Sequence, residues 1–157
     1  MFGTFGTEAR KVVESACKIA TELDSSTVEA EHLLLAITRE PASPAHRVLI
    51  GAGLDDEALL HALRAEFEAS LAVVGVSVSD FDVTSSAPRR HRAKWGTSAK
   101  LALQRCAQIA AARRDRRVRA GHILLGVLRA PAGTVPRALE QAGVDRVGLS
   151  DRVAATL

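Results

Sequence analysis

Aromatic residues and long apolar runs are both scarce in this 157-residue chain. Aromatics make up 3% of it and tyrosine is absent, so the core has to consist of Ala, Val, Leu and Ile. No apolar run approaches the ~18–20 residues of a membrane span. The first residues, MFGTFGTEARKVV, lack the basic start and apolar stretch of a secretion signal. We therefore expect a cytoplasmic protein without a membrane partner.

Enzyme signatures are missing as well. The chain has no GxxxxGK phosphate loop, no GxSxG elbow and no HExxH helix. Glu29, Glu31 and His32 stand close together, but His32 has no second ligand at the helical spacing that a metal needs. No catalytic residue, metal or cofactor is predicted. Cysteine is limited to Cys17 and Cys106, which we interpret as small buried residues without a disulfide.

The chain is 47% hydrophobic, which excludes a wholly disordered chain, and it contains an internal repeat. With an offset of 90 residues it matches itself without gaps. The matching segments are 5–13 with 95–103, 30–42 with 120–132, and 47–56 with 137–146. The match predicts one domain made of repeat one (about 1–69), a connector (about 70–94) and repeat two (about 95–157).

Each repeat is predicted to contain four helices, because apolar residues recur at spacings of three and four. The predicted helices run over about 7–23, 30–39, 44–50 and 55–67, and again over about 97–114, 120–129, 135–142 and 145–157. Gly51 and Gly53 suit a left-handed helix end, and Asp55 suits a helix cap. Neither repeat is expected to bury its apolar face alone. An all-α fold with two repeats around a pseudo-twofold axis is therefore predicted.

The connector breaks the helical pattern. Val76, Val78 and Phe81 alternate with polar residues, which predicts a short strand or extended edge within a loop or small hairpin.

Charge divides the chain unevenly. Residues 1–70 carry six basic and twelve acidic residues (−6), and residues 71–157 carry fifteen and six (+9). Two basic clusters stand out, Arg89–Arg90–His91–Arg92 with Lys94, and Arg113–Arg114 with Arg116, Arg117 and Arg119. They are either solvated, bind an anionic protein group, pair with the acidic repeat, or bind nucleic acid. Aromatic rings that stack on bases are nearly absent, which argues against nucleic-acid binding. A basic helical nucleic-acid-associated protein is therefore kept only as the alternative interpretation.

One histidine recurs at the same repeat position, as His32 and His122. A histidine at the start of a buried helix is typical of capping or packing rather than of a ligand. The acidic residues around it are not kept, since Glu29 and Glu31 correspond to Arg119 and Gly121. The two equivalent faces of the repeats are therefore expected to differ in function.

The doubled pattern F-x-x-x-A-x-x-V…A-E-H-L-L-L-A-I…R-V-L-x-x-x-G resembles the N-terminal repeat domain of Clp-family AAA+ unfoldases, especially the ClpC type. The resemblance implies a non-catalytic domain that docks adaptors and substrates. Because the family's ATPase modules are missing from the chain, it implies a stand-alone modulator of a Clp unfoldase–protease system. The expected partners are a Clp unfoldase, its adaptors or its substrates.

The resemblance also implies two ligand sites. The first is a phosphoarginine pocket comprising Thr4, Gly6, Thr7 and Glu31, which has no counterpart in repeat two because Gly121 replaces the glutamate. The second is a groove between the first helices of the two repeats, which in relatives captures adaptors and macrocyclic peptide antibiotics. By position it comprises Phe2, Val13, Glu14, Trp95, Lys100, Leu103 and Gln104. Alternatively, Trp95 and Phe5 fill the core at equivalent positions of the two repeats.

Overall fold

The computed structural model describes residues 3–80 and 92–157. Within them the chain forms eight α-helices, four in each repeat, as the periodicity predicts. They are α1 (Thr7–Glu22), α2 (Ala30–Thr38), α3 (Pro44–Gly51), α4 (Asp56–Val73), α5 (Thr97–Ala112), α6 (Ala120–Leu128), α7 (Thr134–Gln141) and α8 (Arg146–Ala154). Two short strands, β1 (Thr27–Val28) and β2 (Lys94–Trp95), complete the fold. No helix in these two ranges is long and apolar enough to cross a bilayer.

The ends of the helices follow local signals that are visible in the sequence. The Ala58 amide donates a 2.8 Å hydrogen bond to the Asp55 carboxylate, which caps α4 as predicted. Gly53 follows α3 with φ of 77°, a left-handed conformation that glycine adopts without a side-chain clash. Its counterpart Gly143 follows α7 with φ of 73°. The two repeats therefore use the same turn chemistry.

The connector differs from its prediction. Instead of an extended edge, α4 continues to Val73 and a 3₁₀ turn covers Val78–Asp80. The helix continues because residues 66–73 contain no glycine or proline, and Gly75 ends it with φ of 75°. Residues 81–91 lie outside the described residues, so the predicted Phe81 position and most of the first basic cluster fall there.

The two repeats exchange their leading strands. β1 of repeat one pairs in parallel with β2, which immediately precedes α5. In the same way Phe5, just before α1, pairs in parallel with Val118, which precedes α6. The Gly6 amide donates to the Val118 carbonyl at 2.9 Å. The entry into the first helix of each repeat is thus held by the other repeat.

Helix packing repeats the same exchange. The last helix of each repeat lies against the third helix of the other, so α4 packs on α7 and α8 packs on α3. The apolar helices α2 and α6 contact each other in the middle. They supply much of one shared core, in which the largest fully buried side chains include Leu33, Leu34, Leu35, Ile37, Ile123, Leu124 and Leu125. This arrangement agrees with the predicted pseudo-twofold packing.

Both cysteines are free. Cys106 is fully buried in the core, and burial raises the pKa of its thiol to about 12, so it stays protonated. Cys17 is only half-buried and lies on the outer side of α1. The interpretation as small buried residues is therefore confirmed for Cys106, whereas Cys17 reaches the surface.

Candidate functional site

The repeated histidines cap the two central helices. His32 Nδ1 accepts the Glu29 amide at 2.8 Å, and His122 Nδ1 accepts the Arg119 amide at 2.9 Å. Since Nδ1 is the acceptor, the neutral ring carries its proton on Nε2, and in His122 this atom lies 2.9 Å from Asp115 Oδ2. Both rings are buried, with 4% and 0% exposure. Their predicted role in capping and packing is confirmed.

These caps are expected to make the fold sensitive to mild acid. Burial lowers the pKa of His32 and of His122 below the ordinary 6.5, although nearby Glu29 and Asp115 oppose that shift. Below about pH 6.5 the unfolded chain binds more protons than the folded one. The free energy of unfolding therefore decreases as the pH is lowered from about 6.5 to the lower pKa of the folded state. Protonating Nδ1 also removes the acceptor. Chemical denaturation between pH 7.5 and pH 5 measures this loss.

The double variant His32→Gln/His122→Gln is the matched test, since glutamine at this helix position keeps an acceptor but does not titrate. Its stability is expected to change less between pH 7.5 and pH 5. The variant His61→Gln, at an exposed position, should keep the wild-type pH dependence. Identical pH profiles for the double variant and the wild type would contradict the capping explanation.

The first repeat junction joins the start of α2 to the start of α5. Glu29 Oε2 accepts the Ser98 amide at 3.1 Å and also the Ser98 hydroxyl. The Ser98 hydroxyl oxygen in turn accepts the Ala30 amide at 2.9 Å. A Cβ at Gly96 would lie 1.7 Å from Glu29 Oε1, so a larger residue at this position would displace the carboxylate from Ser98. The anion-attracting amino end of α5 is therefore occupied by a carboxylate of the protein itself.

The second repeat junction joins the starts of α1 and α6 and carries different charged residues. Arg119 stands at the position of Glu29, and Glu8 stands at the position of Ser98. The amino end of α1 has no side-chain cap, because its capping residue is Gly6. Glu8 Oε1 is buried and has no hydrogen-bond partner within the described residues. Part of the charge difference between the two repeats therefore lies at these junctions.

The predicted phosphoarginine residues are distributed over both junctions. Thr4, Gly6 and Thr7 lie at the second junction, where the Val118 amide donates to the Thr4 carbonyl. Glu31 lies in the first turn of α2, at the first junction. Burial raises the pKa of Glu31, and the nearby negative charges raise it further. That these four residues form one phosphoarginine pocket stays a prediction.

An open pocket lies on the outer face of α1, beside β2, and we call it the α1 pocket. It brings together three predicted groove residues, Val13, Glu14 and Trp95, and has a volume of about 830 Å³. Its complete lining is Arg10, Val13, Glu14, Cys17, Lys18, Thr21, Arg92 and Trp95. Trp95 is half-buried and packs partly against the core, so it contributes to the core and also to the pocket wall.

Three other predicted groove residues lie on α5. Lys100 and Gln104 are exposed one turn apart on α5, and Leu103 is buried on the inner face of that helix. None of the three is among the described residues that line the α1 pocket. Phe2 lies outside the described residues.

Several lining residues were missed by the sequence prediction. Arg10, Cys17 and Thr21 lie on the same side of α1 as Glu14, because positions four, seven and eleven residues apart share one helical face. That spacing could have identified them. Arg92 stands two residues before β2, and β2 is placed beside β1 by a long-range pairing that no local pattern indicated. The pocket has an apolar wall and a rim of both charge signs, which suits an extended peptide.

Members of the two basic clusters line different pockets in the described part of the chain. Arg92 and Lys94 line a smaller polar pocket with the hydroxyl-rich turn after α1, next to the α1 pocket. In the second cluster Arg113 pairs with Asp115 at 3.2 Å, while Arg114, Arg116, Arg117 and Arg119 are exposed. Residues 3–80 and 92–157 contain no group of three or more acidic, His or Cys residues arranged to hold a metal ion.

Comparison with known families matches the exchanged two-repeat architecture. The model of the Clp repeat (R) N-terminal domain matches residues 4–90 and 94–157. The chain belongs to the Clp N-terminal repeat family. In Clp and Hsp100 proteins this domain binds substrates and adaptors. It is a non-catalytic domain in that family. No curated protein sequence matches the chain significantly.

Solved structures of such domains resemble the whole chain. The N-terminal domain of the chaperone ClpD from Arabidopsis thaliana has a TM-score of 0.72 at 18% identity, with 99% of this chain and 96% of that one covered. The Hsp104 N-terminal domain from Candida albicans has a TM-score of 0.68 at 17% identity, with 95% and 88% covered. At these identities the likeness establishes the Clp N-terminal fold.

Proposed function

We propose that this Clp N-terminal domain is a peptide-binding module that modulates a cytoplasmic Clp unfoldase–protease system as an adaptor, a substrate receptor or a competitor for its ligands. The observation that carries the proposal is the α1 pocket, an open pocket that Trp95, Val13 and Cys17 line together. Partly exposed aromatic residues in a pocket are the side chains that most often anchor a peptide.

The charged rim determines which peptides fit. Arg10, Lys18 and Arg92 surround the apolar wall, and Glu14 is the one carboxylate in the lining. A peptide with an apolar anchor and neighbouring acidic residues complements this arrangement. Lys100 and Gln104 are exposed on α5, the first helix of repeat two. They would extend the contact if the ligand continues from the α1 pocket toward that helix. A macrocyclic peptide presents an apolar anchor at low conformational cost and is a suitable probe.

Trp95 provides a direct test, because it is the only tryptophan of the chain. Addition of an unfolded polypeptide or a cyclic apolar peptide is expected to shift the Trp95 fluorescence saturably. The variant Lys18→Glu, at an exposed position of the pocket rim, should weaken binding of an acidic peptide about tenfold by converting attraction into repulsion.

The control is Arg64→Glu, which makes the same charge change at an exposed site on α4 and should bind normally. No saturable fluorescence change with any peptide would contradict the proposal. Saturation by duplex DNA, with a steep loss of affinity as salt rises, would instead favour the nucleic-acid alternative. Phosphoarginine binding by Thr4, Gly6, Thr7 and Glu31 stays a prediction, and a titration that moves the amides at these positions would support it.

A further inference from the structure

A small pocket on repeat two, which we call the arginine pocket, gathers three guanidinium groups. Arg105, Arg113 and Arg129 line it together with Gln108 and an apolar floor of Ile109, Ala112, Leu125 and Ala154. Its volume is about 320 Å³. It lies between α5 and α6, on residues that neither the α1 pocket nor the two repeat junctions include.

The equivalent place in repeat one shows what is unusual about this pocket. There Arg39 takes the position of Arg129, and two carboxylates neutralise it. Arg39 Nη1 lies 2.8 Å from Glu22 Oε2, and Arg39 Nε lies 3.0 Å from Asp56 Oδ1. Repeat one therefore has a closed ion-pair network at the end of its second helix.

Repeat two has lost both of these carboxylates. Ala112 stands in the place of Glu22, and Arg146 stands in the place of Asp56. Arg146 Nη1 instead donates to the Leu128 and Ala130 carbonyls, at 2.9 and 2.8 Å, and so caps the end of α6. As a result the Arg129 guanidinium has no ion pair or hydrogen bond to any residue in the described ranges.

The neighbouring arginine adds a second uncompensated charge. Arg105 Nε donates to the Gly126 carbonyl at 2.7 Å, which holds the half-buried side chain at the pocket wall. Burial lowers the pKa of Arg105, and no carboxylate opposes that effect. Only Arg113 has an acidic partner, Asp115 at 3.2 Å. The pocket thus holds about two positive charges that the described chain leaves unbalanced.

We infer that the arginine pocket binds a phosphate monoester, with Arg105 and Arg129 contacting the phosphate and the apolar floor contacting its organic carrier. A phosphate monoester carries about −1.5 to −2 charge at pH 7, which matches two guanidinium groups better than a single carboxylate does. The inference goes beyond the proposed function, because it concerns a different surface and holds whether or not the α1 pocket binds peptides.

The test is an NMR titration of the full chain with inorganic phosphate, O-phosphoserine and glutamate, following the arginine Nε–H signals. Saturable shifts at Arg105 and Arg129 with phosphoserine, and much weaker ones with glutamate, are expected. Equal affinity for inorganic phosphate would show that the apolar floor contacts no organic carrier and would overturn that part of the inference. Tighter binding of a phosphoserine peptide would identify a phosphorylated protein as the source.

Four variants separate the effect of charge from the effects of side-chain size and of folding. Ala112→Glu restores the carboxylate that neutralises the arginine in repeat one, and it should weaken phosphoserine binding about tenfold. Ala112→Gln has nearly the same size without the charge and should bind like the wild type. Arg129→Gln, at an exposed position, should also lose about tenfold, whereas Arg64→Gln should lose nothing.

Equal phosphoserine affinity in Ala112→Glu, Ala112→Gln and the wild type would overturn the inference. So would shifts spread evenly over all exposed arginines. Peptide binding at Trp95, measured on the same Ala112→Glu sample, is expected to stay normal. Failure of the arginine pocket is therefore distinguishable from failure of the α1 pocket.

Discussion

Replacing Gly126 by alanine is expected to lower the free energy of unfolding by about 3 kcal/mol, and the melting temperature by about 10 °C. A Cβ at this position would lie 2.3 Å from the Ala102 carbonyl oxygen and 3.1 Å from the Cys106 amide nitrogen. Both atoms belong to the backbone of α5, so the clash is relieved only by moving one helix away from the other. Thermal and denaturant unfolding of the purified variant measure the loss.

Gly51→Ala is the matched control. Gly51 is the last residue of α3, and a Cβ there would meet nothing within 4 Å. Alanine has the higher helix propensity, so this variant should be as stable as the wild type or more stable by about 0.5–1 kcal/mol. If Gly126→Ala were as stable as Gly51→Ala, the close packing of α5 on α6 would be wrong.

Replacing Arg137 by methionine is expected to lower the free energy of unfolding by about 2 kcal/mol at neutral pH. Arg137 Nε lies 2.8 Å from Glu66 Oε1 and joins α7 to α4 across the repeats. Glu66 is only 3% exposed, so the variant leaves a buried carboxylate with the Ser70 hydroxyl as its remaining partner. The loss is smaller than for a fully buried ion pair because the Arg137 side chain is 53% exposed.

The pH dependence of this loss provides an independent check. Burial alone raises the pKa of Glu66, but the hydrogen bonds from Ser70 and Arg137 and the charge of Arg137 outweigh it and lower the pKa below 4.5. The stabilisation is therefore present above the unfolded pKa and is lost as the pH falls through the lower folded pKa. The difference between wild type and Arg137→Met should shrink below about pH 4.

The control for this variant is Arg47→Met, at the equivalent position of repeat one. There the residue corresponding to Glu66 is Thr156, so Arg47 has no equivalent carboxylate to neutralise. Arg47 is exposed, and its replacement is expected to change stability by less than about 0.5 kcal/mol. Equal losses in the two variants would show that the contact between α4 and α7 does not depend on the ion pair.

The sequence predicted the helices because their signals are local. Asp55 caps α4, Gly53 ends the turn after α3, and the apolar spacing of α1 marks its buried face. The capping role of His32 and His122 was also predictable, since the repeat showed the same residue at the same helix position. The continuation of α4 to Val73 was missed because a short apolar alternation resembles a strand.

The assembly of the sites was not predictable from local patterns. The exchange of leading strands places Phe5 beside Val118 and Trp95 beside Val28, and these pairs are far apart in the chain. In the same way Gly6, next to Thr7, bonds Val118, and Ala30, next to Glu31, bonds Ser98. The arginine pocket became visible only when the partners of Arg39 in repeat one could be compared with the surroundings of Arg129.

Chemical-shift mapping of the whole chain with an unfolded polypeptide tests the central claim most directly. If the domain binds peptides through the α1 pocket, the largest shifts will occur at Val13, Glu14 and Cys17 and at the Trp95 indole. These shifts will saturate with the polypeptide. Duplex DNA, added at the same concentration of negative charges as the polypeptide, will not reproduce them. The absence of saturable shifts on α1, or a shift pattern confined to the exposed arginines and matched by DNA, would contradict the account.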